Sequence, residues 1–360
     1  MQISHVRKSR LTTTIRFISQ SDSTTLPDFT GEADQLTVRY DGDRTTVYCG
    51  TGPENDCTPA MLRTVAAKAA QSLQKLKRTS AACVLPTLPL GGAVVEKSII
   101  EGLLLGSYSF AKYKSEKKES LSRIDIIGGA LSTSALRSVQ HACEGVTYTR
   151  DIVNDNASVV TPQFLAKEAR RIAKEGDMKL TILDEQELIR KKLGLISAVG
   201  SGSTTPPVLI ILEYRGDSRN GKKTAIVGKG VTFDSGGQNL KPTGSIESMR
   251  HDMAGAAAVL GLFSAIARIR PKMNVIGVIP AVHNAIGSRA FFPGDIYTAH
   301  NGKTVEIWST DAEGRLILAD AISYCREACN PDRIIDLATL TGGIVTALGE
   351  LVAGLFANND

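Results

Sequence analysis

Thr224-Ala225-Ile226-Val227-Gly228-Lys229-Gly230-Val231-Thr232-Phe233-Asp234-Ser235-Gly236-Gly237 is the stretch on which the reading of this chain turns. Its first four residues have the apolar, β-branched content of a short buried strand. The segment that follows is broken by glycine and carries Lys229 and Asp234, with Lys241 a few residues on. Open α/β sheets collect functional residues at the carboxyl ends of their strands, so a polar cluster directly after such a strand marks a candidate site. Outward from it, further strands are read at residues 179–183, 208–214, 274–282, 304–308 and 333–340. Helices are read at 162–175 (capped by Thr161), 185–192, 255–268 and 315–327, with a loop at 200–207. Apolar strands joined by crossover helices predict a mixed, largely parallel sheet covered by helices.

Upstream, a strand at 11–18 precedes a hairpin of 35–40 and 45–49 closed over 41–44. A helix at 58–76 opens on Thr58-Pro59, a cap and first-turn pair. Strands at 83–88 and 123–127 flank a helical stretch at 95–112. The chain therefore reads as α/β throughout, with an N-terminal α/β domain over 1–148 and a second domain over 149–360. There is no repeat and no low-complexity segment.

The composition is that of an ordinary globular protein, 42% hydrophobic and 22% charged over 360 residues. The longest apolar runs, 208–212 and 273–282, are too short to span a bilayer. A net charge of +5 is spread along the chain, and the basic cluster at 114–118 reads as a solvated helix face rather than a nucleic-acid footprint. Six scattered cysteines without a C-x-x-C pair read as reduced thiols of a cytoplasmic protein. The sequon Asn156-Ala157-Ser158 is taken as chance. The basic, acid-free first twenty residues resemble a transit segment only faintly, and the strand reading of 11–18 is preferred.

Two more segments share the polar character of the first. Asp252 precedes the helix at 255–268, and Ser309-Thr310-Asp311-Ala312-Glu313-Gly314-Arg315 follows the strand at 304–308. Two acids on a loop are the everyday meaning of any D-x-E. In an extended segment, however, Asp311 and Glu313 would point the same way and crowd their charges. If Asp234 and Asp252 join them, four carboxylates in one concavity demand cations, and oxygen-rich sites suit divalent metals. Gly228-Lys229-Gly230 fails as a phosphate loop, because a Walker motif needs Ser or Thr after its lysine. There is no H-E-x-x-H, and the five histidines show no ligand spacing. His251 beside Asp252 reads as a bystander more readily than as a base.

With these residues in view, residues 227–237 and 310–316 resemble the two signature motifs of the leucyl (cytosol) aminopeptidase family. Met249-Arg250-His251-Asp252-Met253, Pro293-Gly294-Asp295 and Asp336-Leu337-Ala338-Thr339-Leu340-Thr341-Gly342 are similar to its supporting blocks. The match runs from about residue 149 to 360, while the first 148 residues correspond only in architecture. The resemblance implies a metal-dependent aminopeptidase releasing leucine-like N-terminal residues through a metal-bridged water, with two divalent ions per subunit (Mn or Zn first, Co or Mg as alternatives). By the same carry-over, Lys229 and Asp252 would hold the tighter ion and Asp311 the looser one, with Asp234 and Glu313 bridging. Lys241 would stabilise the oxyanion, Arg315 would hold a bicarbonate, and Met249, Thr339 and Gly342 would line the side-chain pocket. Peptides with a free N-terminus are the implied partners, and a homo-hexamer the implied assembly, without a membrane or nucleic acid.

Ser309 stands where the family usually has Asn, and His283-Asn284-Ala285 replaces its E-N-M segment. Family members continue beyond the point where this sequence reaches Asn358-Asn359-Asp360, so the 360-residue chain is expected to be weakly active or inactive and prone to associate. Two readings compete with catalysis: an inactive peptide- or nucleic-acid-binding protein on the same fold, and a phosphohydrolase with a carboxylate-held metal pair. The intact set of seven site residues argues against the first. Lysine as a ligand argues against the second.

Overall fold

The computed structural model describes residues 1–22, 26–116 and 119–358. Lys117 and Lys118 of the basic cluster, with Asn359 and Asp360, lie outside the described residues. The chain divides into two compact units, Met1–Thr147 and Tyr148–Asp360.

The first unit comprises β1 (Gln2–Val6), β2 (Thr13–Ile18), β3 (Leu36–Asp41), β4 (Arg44–Gly50), α1 (Pro59–Lys75), β5 (Ser80–Val84), α2 (Gly92–Gly106), β6 (Arg123–Ile127) and the start of α3 (Thr133–Asn154). Its sheet has the order β1-β6-β5-β2-β4-β3, parallel throughout except for the β3–β4 hairpin. Thr58 caps α1 by accepting from Met61 N at 3.2 Å, as its place before Pro59 predicts. β5 ends at Val84 rather than at 88, because Pro86 cannot donate to a sheet ladder. The strand β1 and the 22-residue helix α3 were not read from the sequence. α3 is rich in Ser, Thr and Val, weak helix formers whose conformation is decided here by packing of Leu136, Val139 and Cys143. The division between units falls inside this helix, at 147/148.

The second unit continues with α4 (Pro162–Gly176), β7 (Lys179–Leu183), α5 (Glu185–Arg190), α6 (Gly194–Gly200), β8 (Val208–Arg215), β9 (Lys223–Gly228), β10 (Gly230–Asp234) and α7 (Ala254–Ile269). It ends with β11 (Asn274–Asn284), β12 (Ile296–Thr298), β13 (Thr304–Glu306), α8 (Glu313–Cys329), β14 (Arg333–Leu337) and α9 (Gly343–Leu348). The main sheet is mixed, in the order β14-β9-β11-β8-β7: β14, β9 and β11 run parallel, and β8 is antiparallel to both its neighbours. β8 and β11 show why the sheet is covered on both faces. Leu209, Ile211, Ile276, Val278 and Val282 pack in one core with α6 and α8. Their alternates Val208, Ile210, Leu212, Val275, Ile279 and Ala281 pack in the other with α4 and α7. Among the described residues one stretch, Ile246–Ile269, is long and apolar enough to cross a membrane, and most of its apolar window is buried inside the protein. The six cysteines form no disulfide with one another, and five of them are buried.

Candidate metal centre

β9 and β10 are one strand interrupted at a single residue. β9 pairs with β11 as far as Val227–Val278, and β10 resumes at Gly230–Ala281. The residue that leaves the ladder is Lys229, whose backbone N donates to Leu337 O and whose O accepts from Ala256 N, both at 2.9 Å. The polar segment is therefore not a loop beyond the sheet. The glycines around the break let backbones close on one another rather than on a bound group. A Cβ at Gly228 would stand 2.4 Å from Gly255 O, and one at Gly255 2.0 Å from Leu337 O. Gly314 serves the lysine itself, since a Cβ there would lie 2.6 Å from Lys229 Cε.

The interruption sends the Lys229 side chain inward, 2% exposed, to four oxygens. Nζ lies 2.9 Å from Asp252 Oδ1, 2.8 Å from Asp252 Oδ2, 2.9 Å from Glu313 Oε1 and 2.8 Å from Thr339 O. Asp252 sits just before α7 and Glu313 opens α8, so both carboxylates lie at helix N-termini, where the backbone favours negative charge. Thr339 Oγ1 donates to Asp252 Oδ1 at 2.7 Å.

A second lysine organises the neighbouring acids. Asp234, at the end of β10, places Oδ2 2.9 Å from Lys241 Nζ, which also meets Asp311 Oδ1 at 2.6 Å. Asp234, Asp252 and Glu313 are all buried, and one oxygen from each can be chosen so that all three lie within 4.8 Å of one another. No histidine belongs to this group. Four carboxylates thus face two ammoniums, an excess of two negative charges with three of the acids out of water.

Electrostatics follow from that crowding. Burial pushes the Asp252 carboxyl up to about 7, with Glu313 adding to the shift and Lys229 opposing it. Burial also raises Glu313; Lys229 opposes the shift, while the charge of Asp234 adds to it. Burial works against the Lys229 charge, but Glu313 and Asp252 outweigh it and hold the ammonium above its ordinary range. Lys241 is likewise raised, Asp311 and Asp234 overcoming its desolvation. Glu313 Oε2 is buried without a hydrogen-bond partner among the described residues. An orphaned carboxylate oxygen beside uncompensated negative charge fits a cation, and the oxygen donors with one potential amine suit a divalent metal.

The seven sequence-derived residues do not all converge. Lys229, Asp252 and Glu313 meet directly, and Asp234 and Asp311 are joined through Lys241. The idea that Asp311 and Glu313 crowd one another on an extended segment is corrected. Glu313 is already helical and turns inward to Lys229, whereas the more exposed Asp311 turns to Lys241. Arg315 is exposed on the first turn of α8 and forms no ion pair with the cluster. Met249 is half-buried in the turn before Asp252, Thr339 follows β14 and touches the cluster as above, and Gly342 is exposed ahead of α9. A groove of about 650 Å³ runs along α8 past Asn301, Ser323 and Arg326 and includes none of these residues. His251 is half-buried beside the site, its imidazole held below its ordinary range by burial and by the charges of Arg250, Lys229 and Lys241.

Two buried residues of the site were missed. Asn284 donates to Asp234 Oδ1 at 2.8 Å and to Thr310 O at 3.0 Å, and Thr310 Oγ1 donates to Gly236 O at 2.6 Å. The available signal was an amide inside an apolar strand end, Val282-His283-Asn284, where burial requires partners.

Known proteins of one family match this chain. The family model described as cytosol aminopeptidase family, catalytic domain, matches residues 147–360, and its N-terminal domain model matches 20–117. A probable cytosol aminopeptidase of Chlamydia trachomatis serovar A is 42% identical over 347 residues, covering 93% of this chain and 70% of the relative. One from Chlamydia caviae is 43% identical over 326 residues, covering 88% of this chain and 65% of its own length. Among solved structures, a tomato leucine aminopeptidase mutant superposes with a TM-score of 0.88 at 32% identity, over 97% of this chain and 75% of that one. The bottromycin maturation enzyme BotP in complex with Mn gives 0.84 at 28% identity, over 96% and 74%.

Proposed function

This chain belongs to the cytosol aminopeptidase family, and from that premise we propose that it removes leucine-like N-terminal residues from peptides with two divalent ions held by Lys229, Asp234, Asp252, Asp311 and Glu313. The single observation that carries the reading is the buried meeting of Asp234, Asp252 and Glu313 around Lys229, with more negative charge than the two lysines balance. The Mn bound by BotP supports Mn²⁺, and the oxygen-rich donor set with one amine accepts Zn²⁺ as well. When bound, such ions acidify a water to a nucleophile and polarise the scissile carbonyl.

The chain's own residues then divide the work. Lys229 must give up its proton to act as a ligand, and adjacent divalent charge drives that loss. Asp252 and Thr339 O hold its amine in place. Lys241 lies between Asp234 and Asp311, where it stays protonated and offers N–H donors to an oxyanion. Arg315, exposed at the N-terminal turn of α8, would hold a bicarbonate, which would supply a base near the attacking water. Met249, Thr339 and Gly342 are assigned to the pocket for the departing side chain, and the homo-hexamer and cytoplasmic location follow the resemblance alone.

The test is hydrolysis of leucine anilide against N-acetyl-leucine anilide, with and without Mn²⁺. We expect metal-dependent turnover of the free amine and none of the acetylated substrate. Equal turnover of the two would remove the requirement for a free amine and with it the proposal.

A further inference from the structure

Asn284 closes β11 fully buried and, like Lys241, ties Asp234 to the segment before α8. Its two amide hydrogens go to different segments: one to Asp234 Oδ1 at the end of β10, the other to the Thr310 carbonyl in the turn before α8. Both partners are acceptors, so the amide can face them only with its nitrogen. Its Oδ1 is left buried and unpartnered, about where a side chain at Gly237 would have to pass. Asp234 Oδ1 also accepts from Gly236 N at 2.9 Å. Two N–H donors therefore occupy that oxygen, while among the described residues Oδ2 meets the Lys241 ammonium, at 2.9 Å.

We propose that Asn284 is a positioning residue for the metal centre: by holding Oδ1 of Asp234 it fixes the carboxylate's rotamer and leaves Oδ2 as the oxygen that takes the ion. This rests on the reading above that Asp234 is a ligand. Second neighbours of this kind orient a ligand and typically tune metal affinity or activity by about 10–100-fold. A purely structural role would be shared with Thr310. Its hydroxyl donates to Gly236 O and accepts from Asn239 N at 2.9 Å, clamping the same two segments without touching Asp234.

The experiment titrates the 360-residue chain with Mn²⁺ alone and compares wild type, Asn284→Leu, Asn284→Ser and Thr310→Val. Melting temperatures are taken without metal, and kcat and KM with it. Both positions should lower the melting temperature. Only the Asn284 variants should weaken Mn²⁺ binding, by about 10–100-fold, with kcat falling more than KM. Should Asn284→Leu fail to fold, the smaller and still polar Asn284→Ser carries the comparison. Wild-type Mn²⁺ affinity in a folded Asn284 variant overturns the proposal. So does an equal loss of affinity in Thr310→Val, which would make the clamp and not the amide responsible. Wild-type protein that takes up no Mn²⁺ would instead sink the two-metal reading itself, and this inference with it.

Discussion

The two units bury carboxylates in opposite ways. In the N-terminal unit Glu96 is completely enclosed, yet it is met by His5 Nε2 and by two backbone donors, Ala130 N at 2.5 Å and Leu131 N at 2.7 Å. The amides of Ala130 and Leu131, in the turn that follows Gly128-Gly129, are satisfied from within by this side chain. In the catalytic unit Asp234, Asp252 and Glu313 face one another, and two lysines leave them short of positive charge. Asp320, in the same unit, is the control. It is as buried as Glu96 and is satisfied by Leu195 N, Ile196 N and His300 N. Burial of an acid therefore does not mark a functional site. Burial of acids against acids does, because their crowding is relieved by a bound cation or by a proton.

The largest expected effects lie at the crowded acids. Asp234→Ala should strip both ions and reduce turnover to background, whereas Asp311→Ala should mainly weaken one ion, since Asp311 stands outside the buried trio. Metal analysis of the purified variants checks this, and loss of both ions from Asp311→Ala contradicts the ligand assignment. Lys241→Ala comes next: loss of one oxyanion donor typically costs about 2.7–4 kcal/mol in the barrier. Metal content should stay intact while kcat falls, and unchanged kcat would dismiss the oxyanion role.

Across the comparison, Glu96→Leu should cost about 1–3 kcal/mol of stability by stranding its donors. Denaturant unfolding and metal analysis together test this, and any loss of bound ion would mean the two regions are not independent. The smallest effect is in pH. At Asp252, pushed up to about 7 by burial, the proton competes with the metal for the carboxylate, so affinity should fall as pH drops below that value. The fall is about tenfold, or about 1.4 kcal/mol, per pH unit for a single proton. The sign for the metal-free fold is opposite. A raised carboxyl contributes stability below its ordinary pKa and loses it as pH climbs from about 4 to about 7. Asp252→Asn should flatten that decline; an unchanged pH profile would place the titration elsewhere.

Much of this was legible in the sequence, for physical reasons that differ by element. The strands at 123–127 and 179–183 and the helix after Thr161-Pro162 were fixed locally by β-branched runs and a cap. β1 and α3 were hidden because their composition is indifferent and packing decides them. The interruption at Lys229 was invisible for a similar reason. The sequence shows glycines, but only the tertiary approach of Gly255 and Leu337 shows that they shape a strand break. At the site, residue types declared themselves through charge, whereas Asn284 and Thr310 did not, being neutral residues whose role exists only in their partners.

The most direct test of the central claim is the ion count of the wild-type chain. After dialysis against a chelator and reloading with Mn²⁺, plasma mass spectrometry and leucine anilide hydrolysis are read on the same sample. Two ions per chain, with turnover lost on chelation and restored on reloading, is the expected result. A chain that holds no ion, or that hydrolyses the substrate equally well without one, would show that the buried acids are balanced by Lys229 and Lys241 alone.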